Sequence, residues 1–464
     1  MLKVFFLLFM AGGIPVAIAM AGASLAYILV SGDLPPFVVI HRMVSGIDSF
    51  PLLAVPFFIL AGNLMNNAGI TTRIFNFALA LVGWMKGGLG HVNVLGSVIF
   101  AGMSGTAIAD AAGLGTIEIK AMKEHGYPTE FAVGVTAASA TLGPIIPPSL
   151  PFVIYGMMAN VSVGALFLAG ILPGALLAVL MMLTVAYFAH KHGWGGDIKF
   201  SSTRLFKALV ELAVVIGWPL LLWLAVARFG APAQISVLIG LASLFVLDKI
   251  FAFDAVLPIM TPVLLIGGMS TGLFTPTEGA IAACVWAMIL GLAWYRTLTG
   301  RMFVKVCLDT VETTATVLFI VAAASIFGWM LTATGVTADI AAWVLGFTKE
   351  AWVFLLLANL LMLFVGCFLE PTAAITILVP LLLPIAVQLG VDPVHFGLVM
   401  VLNLMIGLLH PPMGLVLFVL ARVAGLSFER TTMAILPWLA PLLISLGIIT
   451  YVPSLVLWLP KQFF

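Results

Sequence analysis

Residues 131–189 contain no Asp, Glu, Lys or Arg. A run of that length cannot wet a soluble surface, because soluble domains carry roughly 25% charged residues. The same bias holds along all 464 residues, of which 63% are hydrophobic and 8% charged. The solvent such a chain requires is a bilayer, where backbone polar groups must be satisfied within helices. A formal net charge of +1 gives no bulk electrostatic attraction for nucleic acid. Cys284, Cys307 and Cys367 lie far apart in apolar surroundings. They read as small hydrophobes, not as a metal site or a disulfide framework.

A spanning helix needs roughly 20 apolar residues. Runs of that kind lie near 4–30, 49–68, 130–160, 163–189, 208–227, 233–251, 256–272, 277–295, 310–333, 394–421 and 431–459. The first extends to about Val30, beyond the roughly 7–15 residues of a signal-peptide core, so it is expected to remain as a span. Two further apolar stretches, 92–119 and 352–388, are rich in Gly, Pro and Thr. Lys86 flanks the first on one side and Lys120 and Lys123 on the other. Basic residues favour the cytoplasm, and crossing twice needs roughly 40 residues. The stretch therefore reads as a re-entrant hairpin. Segments 71–86 and 337–350 are short and more polar, with Arg73 and Lys86 on one and Asp339, Lys349 and Glu350 on the other. Both read as interfacial helices. Counting from Lys3 places three basic clusters inside: Lys191, Lys199, Arg204 and Lys207; Arg296, Arg301 and Lys305; Arg422 and Arg430. The expected N-terminus is cytoplasmic and the C-terminus periplasmic, with Lys349 and Lys461 as exceptions outside.

The chain also repeats itself. Gly69-Ile70-Thr71 matches Gly335-Val336-Thr337 and Thr106-Ala107 matches Thr372-Ala373, both at an offset of 266. Phe131 matches Phe396 at 265. Gly143 matches Gly407, Pro147-Pro148 matches Pro411-Pro412, and Pro173 matches Pro437, all at 264. An odd number of expected crossings separates the copies, so the second is inverted. The expected fold is an all-α polytopic membrane protein of two inverted repeats, each with a re-entrant hairpin and a broken helix. The first repeat covers 1–190 and the second 256–464; residues 191–255 hold a cytoplasmic loop and an inserted helix pair.

Four segments resist continuous helix: Gly102 to Ala107, Gly143 to Ser149, Glu370 to Ala373 and His410 to Gly414. Proline blocks helix continuation and glycine permits unusual angles. Unwound backbone at membrane depth must be buried or line a cavity. Its carbonyls and nearby hydroxyls are hard oxygen ligands suited to sodium, the only metal expected. One sodium site is expected from Ser104, Gly105, Thr106, Asp110, Gly143, Pro144 and Pro147. A second is expected from Glu370, Pro371, Thr372, Ala373, Gly407, His410 and Pro411. Substrate is expected between them, touching Ser104, Thr106, Ser149, Thr372 and His410. Glu370 reads equally as a ligand or as a residue at the hairpin mouth. His410 has three readings: substrate contact, titrating group or brace for the broken helix. No Lys or Arg lies in 371–421, so bound cations and helix ends would have to balance a crossing anion.

At these residues the chain resembles the large membrane subunit of the tripartite ATP-independent periplasmic (TRAP) transporters. The matching runs are Asp48 to Ala54, Phe58 to Gly62, Ala109-Asp110-Ala111-Ala112, GPIIPPS at 143–149, GALFLAGILPG at 164–174, GLFTPTEGA at 272–280, LEPTAAITILVPLLLPIA at 369–386 and DPVHFG at 392–397. They cover nearly the whole chain except about 206–250. The resemblance implies an elevator carrier in the bacterial inner membrane, in which a domain holding both hairpins slides against a scaffold. It implies sodium-driven uptake of organic acids without ATP or cofactor. The implied partners are a small four-helix membrane subunit and a periplasmic substrate-binding protein. Two positions depart from the family's pattern: His410, where Thr is common, and Val416, where Asn is common. The main rival reading is a self-sufficient sodium–anion symporter without a binding protein. A channel fits the long repeat less well, and no HExxH motif, nucleophile elbow or catalytic dyad suggests an enzyme.

Overall fold

The computed structural model describes residues 1–229, 233–251, 253, 255–270, 274–411 and 414–463. Among them the regular structure is helical, apart from one isolated bridge between Lys86 and Gly196. The chain opens with α1 (Leu2–Ala11), α2 (Val16–Ser31) and α3 (Phe37–Ile47). A 3-10 turn (Phe50–Leu53) leads into α4 (Ala54–Asn67), followed by α5 (Ile70–Val82). The first hairpin is α6 (Gly88–Ser104), α7 (Ala107–Ala112) and α8 (Leu114–Glu124). The first broken helix is α9 (Thr129–Ala140) and α10 (Leu150–Ala159), followed by the long α11 (Val163–His192). The inserted pair is α12 (Ser202–Phe229) and α13 (Ala233–Phe251). Next come α14 (Val256–Ser270), α15 (Pro276–Met288) with a π-helical turn (Ile289–Trp294), α16 (Gly300–Ala333) and α17 (Val336–Phe347). The second hairpin is α18 (Ala351–Gly366) and α19 (Pro371–Gln388), and the second broken helix is α20 (Pro393–Gly407) and α21 (Leu415–Ala424). The chain ends in α22 (Phe428–Tyr451), α23 (Pro453–Leu457) and α24 (Pro460–Phe463).

Among the described residues, six helical segments are long and apolar enough to cross a membrane by length and composition: Phe50–Asn67, Val163–His192, Pro276–Trp294, Gly300–Ala333, Pro371–Gln388 and Phe428–Tyr451. Shorter apolar helices supply the rest, because the runs 130–160 and 394–421 split at their prolines as the sequence requires.

Two expectations need correction. The run 4–30 is not one helix. Gly13 takes a φ of +75° and Pro15 cannot continue α1. The chain folds back, so that a Cβ on Gly22 would lie 3.1 Å from the Phe9 ring. In a continuous helix those residues would stand about 20 Å apart. Helix α3 has no counterpart among the expected elements. Only Val39 on it is buried, while Phe37, Ile40, Val44 and Ile47 are exposed, and it packs on α16. Polar residues interrupt its apolar stripe, so a search for long apolar runs passes over it.

The first hairpin does return on itself. Asn93 on α6 is bonded to Glu118 on α8, 12 residues before and 13 residues after the turn at Gly105. Gly69 and Gly335, with φ of +71° and +74°, start α5 and α17 respectively. Helix α10 of the first half packs on α19 of the second hairpin, and α21 of the second half packs on α7 of the first. Around this interlocked centre, α4 packs against α15 and α16, and α2 and α3 against α16. A separate apolar cluster joins α1, α2, α3 and α16, with Ile377 of α19 reaching into it.

Candidate transport site at two helix breaks

The first break and the first hairpin tip meet backbone to backbone. Helix α6 ends at Ser104 and the chain reverses at Gly105, whose φ of +64° favours glycine. A Cβ there would stand 2.8 Å from the Pro148 carbonyl oxygen, and Leu150 N donates to Gly105 O at 3.3 Å. From the other side, a Cβ on Gly143 would lie 3.0 Å from Thr106 O. The structure thus brings Gly105 and Thr106 against Gly143 and Pro148; Ser104 precedes the turn, and Pro144 and Pro147 lie within the break. The Pro147–Pro148 peptide is cis. Thr106 caps α7 by accepting from Ala109 N at 3.3 Å. Asp110 follows in the first turn of α7, buried. Asp110 Oδ2 and Ser104 Oγ are buried without a hydrogen-bond partner, an expensive state unless something else satisfies them. The Ser149 hydroxyl donates to Pro144 O at 2.5 Å and accepts from Phe152 N at 3.3 Å. In this conformation it braces the break.

The second half uses the same parts differently. A Cβ on Gly407 would lie 2.6 Å from Gly366 Cα, so the end of α18 crosses the end of α20 with no room for a side chain. Gly366 was not among the expected site residues. Glu370 is the N-cap of α19: its Oε2 accepts from Ala373 N at 3.3 Å and its Oε1 from Thr372 Oγ1 at 2.9 Å. Pro371, Thr372 and Ala373 form the first turn behind that cap. His410 Nδ1 lies 3.0 Å from Ile406 O, one turn back, which is the bracing geometry. Pro411 follows in the turn; Pro412 and Met413 of the expected break lie outside the described residues.

Sequence reasoning also passed over two asparagines. Asn93 on α6 and Asn359 on α18 are buried, each is the sole asparagine of its hairpin arm, and they differ by 266, the offset of the repeat. That coincidence was the available signal. At its base the first hairpin is fastened by Asp197, whose Oδ2 accepts from Leu89 N and Tyr127 Oη, both at 2.7 Å. Burial, and then the neighbouring Asp197, keep the Tyr127 phenol protonated well above its ordinary range.

Chemically, this is an oxygen-rich centre. Among the described residues no group of three His, Cys, Asp or Glu could hold a transition metal. Carbonyls, hydroxyls and one carboxylate suit a hard cation. Paired hairpins and broken helices meeting at mid-molecule define a membrane carrier, not a soluble enzyme.

Comparison with known proteins places that carrier. The family model described as "Tripartite ATP-independent periplasmic transporter, DctM component" matches residues 3–455. The chain belongs to that family: it is a TRAP large permease and not an enzyme. It is 42% identical to the sialic acid TRAP transporter large permease protein SiaM of Vibrio cholerae over 451 residues, covering 97% of this chain and 96% of that one. It is 33% identical to the C4-dicarboxylate TRAP transporter large permease protein DctM of Rhodobacter capsulatus, covering 97% and 96%. The sialic acid permease protein SiaT of Haemophilus influenzae is 36% identical, but the chain spans 66% of its length. Among solved structures, the YdaH transporter of Alcanivorax borkumensis, whose crystal structure is described as having an unusual topology, superposes with a TM-score of 0.59 at 16% identity. The match covers 89% of this chain and 87% of that one, and shows a shared fold.

Proposed function

We propose that this permease takes up an organic acid anion across the bacterial inner membrane, driven by sodium, by an elevator movement of the two hairpins and broken helices against α2–α4 and α14–α16. The observation that carries this reading is the contact between the Gly105 turn and the Gly143–Pro148 break, with Ser104 Oγ and Asp110 Oδ2 left unsatisfied beside it. A sodium ion held there by carbonyl, hydroxyl and carboxylate oxygens would relieve those groups and brace the unwound backbone. A second ion would use Thr372, Gly407 and the neighbouring break, with His410 and Pro411 at its edge. The substrate would lie between the two. The named relatives carry sialic acid, C4-dicarboxylates, isethionate and 2,3-diketo-L-gulonate. The first is an acid by name and the other three are acid anions, so an anionic substrate is the common denominator. The family's tripartite description supports a small membrane subunit and a periplasmic binding protein as partners.

The test is uptake in proteoliposomes holding the permease and its small subunit, with and without binding protein, against sodium concentration. A sigmoidal sodium curve that needs the binding protein is expected. Full-rate uptake without it would move the reading to the self-sufficient symporter. A hyperbolic curve, or equal uptake driven by protons alone, would sink the two-ion scheme.

A further inference from the structure

Each hairpin is pinned to its own broken helix by one buried amide, at matching positions. In the first half Asn93 Oδ1 accepts from Ser139 Oγ at 2.8 Å, while Asn93 Nδ2 donates to Glu118 Oε2 at 2.6 Å and Thr136 Oγ1 at 2.7 Å. In the second, Asn359 Oδ1 accepts from Asn403 Nδ2 at 2.7 Å, while Asn359 Nδ2 donates to Thr450 Oγ1 at 3.0 Å. Ser139 and Asn403 differ by 264, the offset of Gly143 and Gly407. Each lies four residues, about one helical turn, before the glycine at its break. All of these residues are less than 10% exposed.

We propose that Asn93 and Asn359 are positioning residues that set the spacing between hairpin and broken helix at the two ion sites. The physical argument is one of register. The carbonyls of each break reach the hairpin tip only if the two elements stay aligned, and glycine contacts supply closeness without direction. A buried amide with its acceptor and donors engaged fixes both sliding and rotation, because hydrogen bonds are directional where apolar packing is not. Packing glue alone would not require the repeat to place its bond one turn below each break. The partners need not match in chemistry: a serine fills the place in one half and an asparagine in the other, and both donate to the amide oxygen.

This inference rests on the sodium reading, and the experiment separates the two. Purified permease is titrated with sodium and its thermal stabilisation recorded, alongside sodium-dependent uptake in the assembled transporter. The variants are Ser139→Ala, Asn403→Ala and the hydroxyl-retaining Ser139→Thr. Each alanine variant is expected to raise the half-saturating sodium about three- to tenfold, the worth of about one net hydrogen bond, with near wild-type uptake at saturating sodium. Ser139→Thr should stay near the wild type. If the wild type ignores sodium, the sodium reading fails and this inference falls with it. If the wild type responds and the alanine variants respond identically, or lose stability without any change in half-saturating sodium, the positioning role alone is overturned.

Discussion

The two halves of this permease share a frame and differ in chemistry. In the first half a backbone turn presses on a broken helix, and two carboxylates, Asp110 and Glu118, are buried nearby. In the second, two glycines cross, and the one acid at the equivalent hairpin, Glu370, is spent capping α19. The position matching Glu118 at an offset of 266 is Pro384, so the second amide pair forms without an acid, and Asn403 Oδ1 is left buried without a hydrogen-bond partner. The repeat therefore preserves spacing and backbone approach while charge sits mainly in the first half. On the proposed sodium reading the two ion sites would be unequal, because register comes from helix breaks and side-chain chemistry is added to it.

The sharpest test of backbone approach is steric. Gly105→Val places a β-branched residue at positive φ and a Cβ 2.8 Å from Pro148 O. Strain of about 1–3 kcal/mol adds to an overpacking cost of similar size. We expect uptake to fall at least about tenfold, with sodium dependence weakening before the melting temperature drops. Gly407→Val has the close contact, at 2.6 Å from Gly366, without positive φ. It is expected to cost stability first, by about 1–3 kcal/mol in a thermal melt. Equal loss in both readouts for both variants would erase the distinction between a turn and a crossing.

The unequal acids give the next contrast. Asp110→Asn keeps shape and removes the charge from a buried carboxylate whose Oδ2 has no hydrogen-bond partner. Half-saturating sodium should rise about tenfold or more, because a hydrogen bond to a charged group is worth about 1.5–3 kcal/mol, while thermal stability holds or improves. Glu370→Ala removes a helix cap and should cost about 1 kcal/mol in stability, with a smaller change in sodium activation. If the sodium curves of the two variants coincide, Glu370 is a ligand as well as a cap.

Much of this was legible beforehand, for physical reasons that can be named. The uncharged stretch 131–189 demanded a bilayer, and GPIIPPS demanded a break because proline lacks the donor a helix needs. The repeat offsets predicted the pairing of hairpin tip with broken helix, and in the first half the structure brings those residues together. The second half was less readable. The contact runs through Gly366, which no motif marks, and the helix after the tip starts with Glu370 as cap, whereas Thr106 caps α7. Matching Thr106 to Thr372 by sequence therefore misaligned the caps by two residues. Helix α3 and the fold-back at Gly13 were hidden because apolar composition reports burial in lipid but not the path of the chain. The amide pairs were hidden because a single polar residue in an apolar run carries no period.

The smallest effects come from how each broken helix is moored to α22. The repeat partners Glu130 and Phe131 against His395 and Phe396 put these moorings in equivalent first turns. His395, buried, sets Nε2 2.9 Å from Ile449 O near the end of α22. Its replacement by alanine leaves a buried carbonyl bare and a cavity, costing about 2–4 kcal/mol with little salt dependence. Glu130 instead accepts from Arg430 at the start of α22, with the side chains 40% and 65% exposed. Water and ions screen that pair, so it is worth under about 1 kcal/mol. Glu130→Ala should lower the melting temperature by no more than about 2–4 °C at low salt, and the difference should vanish near 1 M salt, where the screening length is about 3 Å. The double variant Glu130→Ala, Arg430→Ala should match the sum of the singles at high salt and fall short of it at low salt. A coupling as large and as salt-independent as that of His395 would mean that Glu130 and Arg430 are shielded by the small subunit or by lipid headgroups, and that both ends of α22 are moored alike.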